Sequence, residues 1–123
     1  MIDLPPAEVR CLEAAIHHEA KGESLAGKLM VGNVVLNRAA APQYPKSVCA
    51  VVKQRKQFSW YKGNDAVLDA PVSRETKVAA RKAMAAKRDN VLFFHATYVA
   101  PKWSQRLKPR FTIGNHIFYA LNH

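Results

Sequence analysis

A chain of 123 residues, 49% of them hydrophobic and 23% charged, is sized for a single domain spanning 1–123, and it carries no fixed-period repeat, Ser/Gly-rich linker or low-complexity tract. Nineteen Lys and Arg against nine Asp and Glu leave a formal net charge of +10, which favours polyanionic partners such as nucleic acid, anionic membranes or acidic cell-wall polymers. No apolar run approaches a membrane span, and the opening "MIDLPPAEVR" lacks the basic start and apolar stretch of an export leader, so the expectation is a soluble chain with no transmembrane segment and no signal peptide.

Pro5-Pro6 can open a helix, because proline is tolerated in the first turn; Cys11, Leu12, Ala15, Ile16 and Glu19 then recur at helical spacing, and Gly22 ends it. Ser24 is a good cap for a second helix to about Ala40, with Leu25, Leu29, Val31, Val35 and Leu36 as its apolar surface and Asn33 and Asn37 as polar intruders. The turn-rich "APQYPKS" precedes a short helix, "SVCAVVKQ", capped by Ser47 with Val48, Val51 and Val52 facing inward. "QFSWYKGNDAVLDAP" reads as an ordered surface loop of the kind that carries function, and Ser73 caps a helix to about Lys87. The period then changes. "NVLFFHATYV" and "FTIGNHIFYAL" are aromatic and β-branched, which predicts two extended segments separated by the loop "APKWSQRLKPR". Helices followed by a small sheet or hairpin make the fold class α+β.

Cys11 and Cys49 fit neither a zinc-ligand spacing nor Cys-x-x-Cys, and their apolar helical neighbours favour buried free thiols over a bridge. Glu19 shares its stripe with Leu12, Ala15 and Ile16, so it is aimed at the core side. Desolvation penalises the charged form and raises such a carboxyl toward the range where it donates a proton at neutral pH, although a structural ion pair explains a buried glutamate equally well. Glu23 follows Gly22 at the start of the second helix, where the positive helix end favours a carboxylate, and that role suffices to explain it.

His17 and His18 invite a metal reading, but adjacent helical residues point about 100° apart and no H-E-x-x-H is present, so neither metal nor cofactor is expected. Ser59, Ser104 and the cysteines lack a nucleophile signature, and no phosphate-binding glycine loop occurs. Phe58, Trp60, Tyr61 and Trp103 beside Lys and Arg could form a stacking platform for nucleic acid, the rival to an enzyme. The basic residues are scattered, which suits attraction to an acidic surface and not the reading of a specific nucleic acid.

At this point five blocks in order, "HHEAKGES", "VLNR" within the second helix, "QFSW", "FHATY" and "GNHIFY", resemble the SleB-type cell-wall hydrolases, the spore-cortex-lytic enzymes and their phage relatives, over roughly residues 11–120. The resemblance implies a lysozyme-like fold, mainly helical with a small C-terminal sheet. It also implies cleavage of the β-1,4 bond between N-acetylmuramic acid and N-acetylglucosamine in peptidoglycan, by a monomer acting as a lytic transglycosylase. Glu19 matches the catalytic acid/base and Glu23 a supporting residue, while Phe58, Ser59, Trp60, His95, Tyr98 and His116 match the sugar cleft and His17 and His18 are bystanders. The thin supply of further carboxylates agrees with this, since hydrolytic glycosidases usually need two and only Glu23, Asp65 and Asp69 could serve as the second. Lys56 stands where many relatives have a cysteine, so a bridge from Cys49 to that position cannot form. A small, basic, leaderless chain suggests a phage endolysin held in the host cytoplasm until release to the wall. A hydrolysing muramidase is the alternative within enzymes.

Overall fold

The structure, a computed structural model, describes residues 3–85 and 87–120. Helix α1, Pro6–Ala20, starts on its proline and buries Cys11, Leu12, Ala15 and Ile16, the stripe expected from the period. Helix α2, Leu25–Ala40, begins where Ser24 Oγ accepts from the Gly27 N–H at 3.2 Å, and it is enclosed on most of its circumference. Gly32 allows this. A Cβ there would lie 3.0 Å from the Ala83 Cβ and 3.2 Å from Ile16 Cδ1, so a side chain would push the neighbouring helices apart.

Helix α3, Val48–Val52, is capped by Ser47, and the Glu8 carboxylate of α1 accepts from the Val48 and Cys49 N–H groups at 2.7 and 3.2 Å. That seating brings Cys49 over Cys11. Their Cα atoms are 5.2 Å apart and the two are joined by a disulfide, which corrects the expectation of free thiols. The helical neighbours that suggested burial are real, but docking of α3 on α1 decides the pairing. Helix α4, Arg74–Ala85, packs Thr76, Ala79, Ala80 and Ala83 inward.

Three strands follow: β1, Phe93–Ala96; β2, Pro109–Ile113; and β3, His116–Tyr119, in an antiparallel sheet ordered β1-β3-β2. The second predicted extended segment is thus a hairpin. Gly114, at φ 54°, and Asn115 turn the chain inside "FTIGNHIFYAL" and make two strands of it. Phe118 is fully buried, with Phe94 and Phe111 beside it on the flanking strands at 5.8 and 5.6 Å.

Leu12, Ile16 and the valines of α2 and α3 are likewise fully buried. At about 1.5–3 kcal/mol for each such side chain, the helices hold the core, and the sheet is free to form a wall above it. No helix among the described residues is long and apolar enough to cross a membrane.

Candidate active site

Glu19 stands in the last turn of α1, half-buried, and its Oε2 accepts a hydrogen bond from Trp60 Nε1 at 2.8 Å. Trp60 reaches it from the loop after α3. The indole is held by the ring of His18, stacked 4.4 Å away at 22°, and by Phe58 at 5.7 Å. His18 Nε2 lies 3.3 Å from the Val67 carbonyl, an acceptor, so Nε2–H is the donor of that contact. His18 is therefore not a bystander, as the sequence suggested: it orients the tryptophan that meets Glu19. His17 touches the His18 ring edge-on and is not among the residues lining the cleft.

Arg38, from the Val-Leu-Asn-Arg of α2, is buried beside this pair. Its Nε donates to the Leu92 carbonyl at 2.8 Å, and its guanidinium lies 5.3 Å from the Tyr44 ring and 5.9 Å from that of Phe58. Asn37 next to it donates to the Val91 carbonyl at 2.9 Å, so two consecutive residues pin the segment that enters β1. Burial pushes the Glu19 carboxyl above its ordinary pKa, against the opposing pulls of the Trp60 N–H and the Arg38 charge. The result is a carboxyl that keeps its proton longer than a surface glutamate.

Opposite Glu19 stand β1 and β3. Between them and α1 lies a cleft of about 380 Å³ lined by Glu19, Arg38, Phe94, His95, Tyr98 and His116 among others. His95 Nδ1 lies 2.8 Å from the Ala96 carbonyl, so in the neutral ring Nε2 accepts from the Tyr119 hydroxyl at 2.7 Å. His116 is buried with its edge to Phe94, and Nδ1 has no hydrogen-bond partner among the described residues. Burial pushes its pKa below the ordinary value, with Glu23 pulling it up and His95 lowering it further, which favours the neutral ring.

Of the residues expected in the cleft, Phe58, His95, Tyr98 and His116 line it, and Trp60 acts through Glu19. Ser59 is exposed and is not among the lining residues. Arg38, Gln57 and Phe94 were not anticipated as site residues; the sequence signal for Arg38 was a charged residue on the buried face of an apolar helix.

Glu23 does a different job from the one expected. Ser24 caps α2, while Glu23 Oε1 accepts the Asn115 N–H at 3.0 Å and Oε2 the Asn115 side-chain amide at 3.3 Å. It latches the hairpin tip to the α1–α2 turn. A Cβ at Gly114 would overlap Oε1 and displace the carboxylate from its latch, while the positive φ independently favours glycine. Glu23→Gln should lower stability by about 1 kcal/mol, the scale of an exposed charge-assisted hydrogen bond, and reduce activity less than loss of Glu19 does. Thermal melts beside rate measurements check this, and a dead variant with an unchanged melt would make Glu23 a second catalytic carboxylate.

The two remaining candidate acids, Asp65 and Asp69, are engaged elsewhere. Asp65 accepts from Tyr61 at 2.7 Å and Lys53 at 2.9 Å, and Asp69 pairs with Arg10 at 3.1 Å, on the face that carries the disulfide. Among the described residues, Glu19 is the only carboxylate that lines the cleft.

A profile of the cell wall hydrolases matches residues 22–119. The chain belongs to that family. This cell wall hydrolase is 26% identical over 118 residues to the spore cortex-lytic enzyme of Bacillus subtilis (strain 168), covering 90% of the chain and 37% of that protein. It is 24% identical over 118 residues to the spore cortex-lytic enzyme of Bacillus cereus, covering 90% and 43%. The chain thus spans about two fifths of the length of these curated relatives. Its fold matches the catalytic domain of the germination-specific lytic transglycosylase SleB from Bacillus anthracis, with TM-score 0.83 at 22% identity, over 94% of this chain and 96% of that one. The Bacillus cereus SleB catalytic domain gives 0.85 at 22%, over 95% and 92%. The α+β architecture expected from the sequence, mainly helical with a small C-terminal sheet, is therefore the one the hydrolase adopts.

The carboxyl of this hydrolase is tuned by its neighbours, which gives a pH test. Trp60→Phe removes a hydrogen bond that favours the ionised form, so the Glu19 pKa rises further and the alkaline limb of kcat/KM moves to higher pH, with a lower maximum. An unmoved limb would mean that the limb does not report Glu19.

Proposed function

We propose that this hydrolase cleaves the β-1,4 bond between N-acetylmuramic acid and N-acetylglucosamine as a lytic transglycosylase, with Glu19 as both acid and base. The observation that carries this reading is a half-buried carboxyl, raised by burial and held by Trp60, in a cleft that offers no second carboxylate among the described residues. The matched family span begins at residue 22, after Glu19, so the role of Glu19 rests on this geometry.

In the first step Glu19 gives its proton to the glycosidic oxygen as the bond from the muramyl C1 breaks. The ionised carboxylate then accepts the proton of the muramyl 6-hydroxyl while O6 bonds to C1, closing a 1,6-anhydro ring and restoring the acid. No water is consumed and no second carboxylate is needed, unlike the two-carboxylate hydrolytic schemes. Trp60 and Arg38 steady the carboxylate during the interval in which it is ionised. Mass spectrometry of products from purified peptidoglycan tests this. Anhydro ends, one water lighter than reducing ends, support it; reducing ends alone would make the enzyme a muramidase.

The wider setting is part of the same proposal. The cleft is complete within one chain, which supports action as a monomer. A disulfide persists in oxidising compartments, which supports work at the envelope after release from a host cytoplasm, as a phage endolysin would require. The +10 charge suits docking on an acidic wall. Exposed charges are screened beyond ~8 Å at physiological ionic strength, so the rate on whole walls should fall with salt more steeply than the rate on a short, uncharged, soluble glycan. Parallel loss on both substrates would place the charge effect inside the cleft and remove surface docking.

A further inference from the structure

We infer that a second hollow beside the Glu19 cleft is an anion subsite that takes a carboxylate carried by the muramyl substituent, with Lys56 as the residue that selects it; this rests on the glycan-cleaving reading above. The hollow, about 480 Å³, shares Arg38, Gln57 and Phe94 with the cleft, so a strand lying across Glu19 continues into it. Its other walls include Tyr44, over whose ring Arg38 lies, and the partly exposed Trp103, aromatic side chains of the kind that sugars pack against. No acidic side chain lines it among the described residues, while two cations do: buried Arg38 at the back and exposed Lys56 at the front.

Lys56 carries a second mark. Among the described residues it is the only non-glycine with a positive φ, 64°, in the left-handed region that L side chains other than Asn and Asp avoid. The turn after α3 therefore holds a lysine in a conformation that glycine or asparagine would adopt more easily, at the edge of a hollow already positive. Arg38 is fixed through Nε on Leu92 and between two rings, so its charge does not retreat when a substrate enters. A neutral sugar gains little from two cations. A muramyl residue does, because its lactyl ether ends in a carboxylate or in a peptide bearing carboxylates. One such group placed between Lys56 and Arg38 would seat the strand beside Glu19 without touching the bond that breaks.

The test uses soluble glycan strands of equal length in three forms: peptide-bearing, peptide-bearing with all carboxyls converted to neutral amides, and amidase-trimmed strands that keep only the lactyl carboxylate. The wild-type enzyme should favour peptide-bearing over amidated strands in kcat/KM, through KM, and salt should erode that preference. Lys56→Asn, which suits the left-handed backbone and so keeps the fold, should cut the preference by ~3-fold, the scale of a partly exposed ion pair. Lys56→Glu should cut it by ~10-fold, since it sets like charges together. Lys77→Glu, on the exposed face of α4, makes the same change in net charge and should keep the wild-type preference.

Trimmed strands that retain the preference identify the lactyl carboxylate as the group bound, and trimmed strands that lose it identify the peptide. Equal use of peptide-bearing and amidated strands by the wild type, or a wild-type preference in both Lys56 variants, overturns the subsite. Failure of the wild type to cleave any of the strands overturns the glycan-cleaving reading instead.

Discussion

Glu19→Gln should abolish wall cleavage while the far-UV spectrum stays that of the parent. A general acid or base contributes ~10²-fold or more to a rate, and here one carboxyl serves in both steps with no other lining the cleft among the described residues. The amide accepts the Trp60 N–H as the carboxylate does, so the local geometry survives.

Stability should move the other way. Burial raises the folded pKa of Glu19 above its ordinary 4.5, so its contribution to stability is fully present below that value and is lost as pH rises through the folded pKa. A neutral glutamine carries no such penalty. The variant should therefore melt above the parent at pH 7 and lose that advantage in acid. Wall clearing at a rate near that of the parent would remove Glu19 as the catalyst, whatever the melt shows.

Removing the Cys11–Cys49 bridge has the largest expected effect on stability. The residues are 38 positions apart, and closing a loop of that length restricts the unfolded chain by about 3–4 kcal/mol in the chain-entropy account. For a domain of this size that corresponds to a Tm lower by roughly 10–20 °C. Paired Cys11→Ser and Cys49→Ser changes should show it, and reduction of the parent should give the same fall. The bridge joins α1, which carries Glu19, to α3, from which the chain runs directly to Trp60. Activity well below the new Tm should persist, because the Glu8 carboxylate still seats α3. An unchanged Tm on reduction would mean that helix packing alone holds the two together.

Local physics made much of this legible in the chain itself. The 3.6-residue recurrence of Leu12, Ala15 and Ile16 set the inner face of α1 and put Glu19 on it, because side-chain direction along a helix follows from spacing alone. Ser24 and Ser47 marked helix starts, since a hydroxyl that accepts a backbone N–H three residues on is a local bond. The change of composition after α4 announced strands.

What the spacing could not show were meetings between distant segments. Trp60 meets Glu19 from 41 positions away, and Glu23 meets Asn115 from 92. Cys49 finds Cys11 only once Glu8 has seated α3, and His18 gains its purpose only when Trp60 lies against it. The hairpin inside "FTIGNHIFYAL" is a different case, because Gly114-Asn115 between two β-type runs is a local two-residue turn signal that the reading as one extended segment passed over. Periodicity and capping bind residues within one or two turns and can be read from the chain, whereas the tuning of Glu19 by Trp60 and Arg38 depends on which faces pack together, and the packing of α1, α2, α3 and the sheet decided that.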